Sequence, residues 1–589
     1  MDEPSARPGW VRGLGALALF TLLAVALTWP MSWSPGRAVS LRGDYFINLW
    51  NFWWMGTALD LGLSPFTTDF LHHPTGISLA RHTLSPLNSL VGSWFASALG
   101  GHDAFKLLLV GHFALSGWTA WLLARRLTGC GGGALLAGVA WAFNPYHAYY
   151  MGQMNVSTLE FLPLAGFFMV GAWRSGRWTD IVGVGLTAGL IAATSSYYLV
   201  YAAFLGGLVL LGGRSLAPDV PWLTGARRLV LGGLVAGAAV LAVSWPLISA
   251  LMEGGAGSGG EDGVAADVAR QVKRSNDLLG FSWVGPPERL VVSWPTMLGY
   301  TSLGVLVAGA AALKQHVGWI VAAAVFFILG LGPVLQIGGA DTGVGLPYAW
   351  LADLPVFSLL RKPDRFFVLF ALFVGLLTAS AWKHVEARLR SGGARLAARA
   401  VVVLALCAEF TLAPLPTHEI PVSEHFDEFA GLEGVRAVVD LPLFGGTPHD
   451  ARTNHFQTLH GLRISSGYVT NLALTKEHRR SSADWQAADA ALDKGDARAV
   501  VELARAQSVQ LVLLHKTEPR PRAARLDEGA LVWAPFVFVR AELVDIRQRG
   551  HLEPLPVRPK KFARRRAALA ELLGEPLLED ELLSVFPVR

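Results

Sequence analysis

The chain has 589 residues, of which 52% are hydrophobic and only 16% charged, and its formal charge is +5. A mean hydropathy of +0.41, with a charged fraction well under the ~25% of soluble domains, excludes an ordinary soluble globule and indicates a polytopic membrane protein. The small net charge makes no case for nucleic acid as a partner, and two cysteines, Cys130 and Cys407, cannot build a disulfide framework or a cysteine zinc site.

The first apolar run extends from Leu14 to Met31, long enough to cross a hydrocarbon core of ~30 Å. It ends in Trp29, Pro30 and Trp33 rather than in a small-residue cleavage site, so it reads as an uncleaved anchor with a cytoplasmic N-terminus. A long segment, residues 32–104, separates it from the next run. Its central feature is Gly43-Asp44 followed by an aromatic helix. Asp44, Asn48 and Asn51 fall at i, i+4 and i+7 on one polar stripe, and Tyr45, Phe46, Trp50, Phe52, Trp53 and Trp54 occupy the other faces. Aromatic rings favour the headgroup layer, which predicts a helix lying along the membrane surface. The plainer reading of Asp44 is a helix cap, because an acidic residue after glycine suits that position. Further on come Asp69, His72, His73, Arg81, His82 and Asn88, then a short amphipathic stretch from Leu84 to Leu99.

Later apolar runs span Phe105–Leu123, Gly132–Phe143, Thr158–Trp173, a hairpin turning at Thr194–Tyr198, Leu229–Leu251, Thr301–Leu313, Val317–Leu335, Phe366–Trp382 and Ala398–Ala413. This predicts about eleven transmembrane helices. Arg125, Arg126, Arg174, Arg177, Arg227, Arg228, Lys314 and the Lys383–Arg399 cluster fall in alternate loops. The positive-inside rule assigns those loops to the cytoplasm and the Asp44 segment, the His147 loop and the Arg361 loop to the other side. An odd number of spans puts residues 414–589 outside as well. There, 435–443, 509–514 and 536–543 read as buried strands with helices at 482–492 and 497–506 between them, a small α/β domain. Its basic run Arg558–Arg566 reads as a solvated or headgroup-facing patch. The division is thus 1–413 for the membrane domain, with the long first outer loop 32–104, and 414–589 for the extracytoplasmic α/β domain.

The spans are nearly free of charge, with Lys106 and Glu160 near their ends and His112 further in. Polar residues gather instead in loops on one side, which favours a site at the membrane surface over a conduction path. Three groups stand out. The first is Asp44, Asn48 and Asn51 with His72, His73, Arg81 and His82. The second is His147, Gln153 and Asn155 with Glu160 one turn into the next span; its plain alternative is an interfacial histidine packed on Tyr146 and Tyr149. The third is Arg361, Lys362 and Arg365 just before a span, where guanidinium groups bind phosphate or anchor to headgroups. His449, His455 and His460 resemble a metal set only loosely.

Gly43-Asp44 at the outer end of an uncharged first span, and a long first outer loop, resemble the GT-C superfamily of membrane glycosyltransferases. His73–Leu79, Asn144-Pro145-Tyr146 with Gly152–Asn155, Arg361–Arg365 and Val438–Leu443 resemble a set of bacterial GT-C-like integral membrane proteins. The resemblance implies a multi-pass protein of the cell's inner (plasma) membrane that transfers a sugar from a polyprenyl-phosphate donor, a lipid-linked co-substrate, to a glycan, lipid or protein acceptor on the outer face. It implies Asp44 as the catalytic carboxylate, acting on the acceptor or, in some members, on a divalent ion. Gln153 and Asn155 stand where several members carry an acidic pair, so this chain departs from a tightly held metal. A transporter or flippase of lipid-linked intermediates and a non-catalytic assembly protein are the competing readings; a transporter is expected to show internal repeats, and the sequence shows no clear one.

Overall fold

The computed structural model describes the chain apart from residues 1–8, 40–42, 145, 148–149, 254–274, 277, 279–298, 338–339, 353, 355–361, 412–414, 416, 444–450, 470–473, 522–551 and 589. Each apolar run becomes helix, since a chain inside hydrocarbon must satisfy its backbone groups within the segment. In order these are α1 (Gly9–Leu27), α2 (Gly43–Asp60), α3 (Pro86–Leu99), α4 (Gly101–Thr128), α5 (Gly131–Ala142), α6 (Phe161–Ser175), α7 (Trp178–Thr194), α8 (Tyr197–Leu216), α9 (Trp222–Glu253), α10 (Tyr300–Ala308), α11 (Val317–Leu331), α12 (Phe367–Ala387) and α13 (Gly392–Phe410).

Among the described residues seven helical segments are long and apolar enough to cross a membrane, and α5 and α7 are shorter apolar helices. The two remaining expected spans also fall on helix. One is α10, continued by Ala310–Leu313, and the other is α13, which carries Arg395, Arg399 and Glu409. At the centre runs α12, with 94% of its apolar window buried, while α9 at 6% presents its side chains outward. Close packing rests on glycine. A Cβ at Gly117 of α4 or Gly138 of α5 would come within 2.4 and 2.3 Å of the Phe20 ring of α1. Any larger residue at either position would therefore displace α1.

The aromatic helix does not lie on a lipid surface. Tyr45, Phe46 and Phe52 belong to the core of the membrane helices, whereas Trp50 and Trp54 belong to a second core shared with Leu71, Val438 and Phe456. So α2 is clamped on two sides, and burial of its rings against protein replaces the expected headgroup layer. Amphipathic rings with one polar handle suit either setting. Here the handles are used: Trp50 Nε1 donates to Gln457 at 2.7 Å and Trp54 Nε1 to the carbonyl of Pro65 at 3.0 Å.

The C-terminal region carries a sheet of β3 (Ala437–Leu441), β4 (Arg463–Ile464), β5 (Leu511–His515), β6 (Leu578–Glu579) and β7 (Leu583–Pro587), which follow the small hairpin β1 (Thr67–Thr68) and β2 (Ile77–Ser78) of the segment between α1 and α4. The sheet order is β6-β7-β5-β3-β4, with β3 parallel to both β4 and β5 and β7 antiparallel to its neighbours. Period-two alternation on β3 sends Ala437, Val439 and Leu441 toward helices Lys476–Leu492 and Arg498–Ala506, and Val438 toward Trp54 and Leu71. The expected strand at 536–543 lies outside the described residues.

The basic run needs correcting. It forms helix Pro559–Leu573, in which Arg565 is 1% exposed and donates to Asp489 at 2.8 Å and to Asp493. Helical spacing turns this one arginine inward while Arg566 pairs with Glu575 and Glu579 at the surface, so the run is a structural ion-pair seam rather than a uniformly solvated patch.

Candidate functional site

Helix α2 places Asp44 in its first turn. Its Oδ2 accepts a hydrogen bond from Gln153 Nε2 at 2.6 Å. Asn48, one turn along, donates to the carbonyl of Asp44 at 2.7 Å and to that of Gly152 at 3.2 Å. Asp44, Asn48 and Gln153 therefore meet, from two separate stretches of sequence. The third member of the stripe is committed elsewhere: Asn51 donates to the carbonyl of Thr83 at 3.0 Å and shares a 3.2 Å hydrogen bond with His82. It holds the chain entering α3.

The Gln153 loop is built by side chains that replace regular hydrogen bonding. Asn144 accepts from the backbone N–H of Tyr146 at 2.9 Å and donates to the carbonyl of Trp141, which turns the chain out of α5. Thr158 accepts from Asn88 of α3 at 2.8 Å, and Tyr198 of α8 donates to the carbonyl of Val156. Asn155 is half-buried in the short helix Met154–Ser157.

At its other end the same loop meets the segment before α12. Tyr150 Oη donates to Asp364 Oδ2 at 2.8 Å, and the Tyr150 and Tyr146 rings lie 4.7 Å apart. Next to Asp364, Arg365 is 7% exposed in the turn Pro363–Phe366 and lies over the Tyr197 ring at 4.3 Å. Its Nε and Nη1 are buried and have no hydrogen-bond partner among the described residues. Two of its three guanidinium nitrogens are thus left without a partner there, with the buried Asp364 as the neighbouring acid. Arg361 lies outside the described residues.

The other expected residues separate into two places. His72 and His73 do not join Asp44; their backbone N–H groups donate to the carbonyls of Ser466 and Ile464, and the His72 ring lies 5.1 Å from His478. Pairing of this stretch with the end of β4 draws them into the seam with the C-terminal sheet. Burial, helped by His478, pushes the His72 pKa down to about 3, and burial pushes that of His82 down to about 4, so both rings are neutral at ordinary pH. His147 and Glu160 face α4: His147 packs on Phe113 at 4.1 Å rather than standing at an interface, and Glu160 accepts from His112 Nδ1 at 2.8 Å. Among the described residues no three His, Cys, Asp or Glu side chains gather to hold a metal ion. His455 and His460 point apart, one to Phe46 and the other to Phe426 and Phe429, and His449 lies outside the described residues.

Tyr150, Asp364 and Tyr197 were not singled out from sequence. The tyrosine-rich stretches 146–150 and 197–201 are the signal that could have found them, since a cluster of buried hydroxyls needs polar partners.

No protein-family model matches the chain, and no curated protein matches it. Solved structures do. The arabinofuranosyltransferase AftD from Mycobacteria aligns with a TM-score of 0.50 at 15% identity, covering 89% of this chain and 38% of AftD; this chain thus spans well under half of that protein. The archaeal oligosaccharyltransferase AglB from Archaeoglobus fulgidus, solved with an inhibitory peptide and a dolichol-phosphate, aligns at 0.48 and 11% identity over 86% of this chain and 69% of its own. ArnT from Cupriavidus metallidurans in the apo state aligns at 0.47 and 11% identity over 99% of this chain and 98% of its own. With its apolar helices long enough to cross a membrane, the chain is a multi-pass membrane protein that shares its fold with AftD.

Proposed function

We propose that this protein is a plasma-membrane glycosyltransferase that moves a sugar from a polyprenyl-phosphate-linked donor to an acceptor at the outer face. One observation carries the reading. The loop 144–160 holds the Asp44 carboxylate through Gln153 and, through Tyr150, the acid beside the buried Arg365, two of whose guanidinium nitrogens have no partner among the described residues. A base and an anion-binding cation are thereby fixed to one short piece of chain, which is what a displacement at a phosphorylated anomeric carbon requires.

In that displacement the acceptor oxygen forms the new bond to the anomeric carbon as its proton passes to the Asp44 carboxylate. The bond from that carbon to the phosphate oxygen breaks with its electron pair, leaving polyprenyl phosphate. Arg365 meets the charge that grows on the phosphate, and a fork of parallel N–H donors suits it. The proton transfer is worth about 10²–10⁴-fold. Gln153 orients the carboxylate and Asn48 fixes the helix turn that carries it. Among the described residues the recorded hydrogen-bond partners of this turn are the amides Gln153 and Asn48 rather than further carboxylates, a poor fit to a tightly held divalent ion.

The pair His112 and Glu160, buried among the helices with His112 Nε2 and Glu160 Oε2 unpartnered among the described residues, is the feature a transporter reading would use. A deletion strain separates the two. A transferase predicts accumulated donor lipid and an acceptor lacking its sugar, restored by the wild-type chain and not by Asp44→Asn. Complementation by Asp44→Asn at wild-type level would remove the transferase reading.

A further inference from the structure

A second buried arginine lacks an anion. Arg452 opens the helix Ala451–His460, is 8% exposed, and has the Phe456 ring, 5.2 Å away, as its recorded contact; no hydrogen bond or ion pair joins its guanidinium to a described residue. Burial lowers its pKa to about 10, which still leaves it charged at neutral pH. Three residues along, His455 has both ring nitrogens buried and unpartnered among the described residues. That ring stacks on Phe46 at 5.4 Å and lies 5.1 Å from the ring of His102, which shares a 2.7 Å hydrogen bond with Tyr45. The acid next to His102 is already taken: Asp103 pairs with Lys106 at 2.6 Å and accepts from the backbone of Gly36.

The seam between α2 and the C-terminal region thus gathers a guanidinium and two imidazoles with no carboxylate paired to them among the described residues. Burial and the neighbouring Arg452 and His102 hold His455 well below its usual pKa, so as a neutral ring it offers one N–H and adds no repulsion. The Arg452 side chain is mostly buried and its charge has no ion pair among the described residues, a setting that favours an anion beside it. We propose that Arg452, His455 and His102 form a pocket for a phosphate-class oxyanion at this seam, brought by a phosphorylated acceptor or by a lipid headgroup. The guanidinium supplies two parallel donors and each imidazole one more, a set suited to a tetrahedral oxyanion. The pocket involves neither Arg365 nor the Asp44 carboxylate, and it stands whether or not the chain transfers sugar.

The test is ligand-dependent melting of the full chain in neutral detergent. By mass action ~20 mM methyl phosphate should raise the melting temperature of the wild type if it binds the folded state. Measured in an Arg365→Ala background, so that the proposed donor-phosphate site does not contribute, the rise should vanish on adding Arg452→Gln, with affinity down at least tenfold. Arg452→Lys, which retains charge but loses the fork, provides a second variant with weakened response should the glutamine variant fail to fold. A parallel arm replaces methyl phosphate by nanodiscs containing phosphatidylglycerol. A rise there alone, abolished by Arg452→Gln, assigns the anion to a headgroup and upholds the pocket. No rise with either probe, or an equal rise in the variants, overturns it.

Discussion

Gln153 donates its side-chain N–H to the Asp44 carboxylate at 2.6 Å across 109 residues of sequence. A donor on a carboxylate favours its ionised form and helps fix its orientation. Asp44 therefore belongs to a tertiary arrangement, which a residue acting only as a helix cap would not need.

Asp44→Asn keeps the size of the side chain and removes the base. Expression and melting should match the wild type, and transfer should fall at least a hundredfold, within the range of about 10²–10⁴-fold for general-base catalysis. In vitro transfer from purified donor lipid is the assay, with a melting curve beside it. A folded variant with near-normal turnover would end the catalytic assignment.

Gln153→Leu tests positioning. Hydrogen bonds to charged groups contribute about 1.5–3 kcal/mol, so turnover should drop by about tenfold or more with little change in KM. The pH–rate profile should change with it, because the base loses a hydrogen bond to its ionised form. A uniform loss with an unmoved profile would make Gln153 a packing residue only.

Arg365→Ala should weaken donor binding at least tenfold, because it removes a charged hydrogen-bond donor from a buried site. Binding of polyprenyl-phosphate sugar to the purified protein measures this directly. A melting curve of the ligand-free variant accompanies the assay, because the change also takes a cation away from the buried Asp364. Unchanged donor affinity would return Arg365 to a purely structural role.

The membrane helices were legible because continuous apolar runs leave the backbone no alternative to helix. Asp44 and Arg365 were legible too, as charges placed where runs end. What joins them was not: Tyr150 and Asp364 are 214 positions apart, and no local pattern encodes such a pair. The aromatic face of α2 misled for a physical reason, since Trp50 and Trp54 are equally suited to headgroups and to a protein seam. His72 and His73 were grouped with Asp44 by nearness in sequence, whereas backbone pairing with Ile464 and Ser466 carries them away.

The arginine and lysine bias predicts that residues 414–589 lie on the outer side. Alkaline phosphatase fused after Glu424 should be active, and the same enzyme fused after Arg388 should not. The reverse pattern would place Asp44 and Arg365 on the cytoplasmic face and rule out an outer-surface reaction.

The last prediction concerns stability in the C-terminal region. Arg565, 1% exposed, is bonded to Asp489 at 2.8 Å and to Asp493. Burial raises the Asp489 pKa against the pull of Arg565, so desolvation of this pair is only partly offset. Breaking such a pair from one side leaves a buried charge alone and costs about 3–5 kcal/mol, whereas replacing the whole set with apolar groups of similar volume is often neutral. Arg565→Met should therefore lower the melting temperature sharply, and adding Asp489→Leu and Asp493→Leu should recover most of the loss. Asp493 is partly exposed, so its share is smaller through solvent screening. If Arg565→Met melts like the wild type, the seam contributes charge pattern without stability. If the triple variant melts no higher than the single one, Arg565 acts through packing of its stem rather than through its charge.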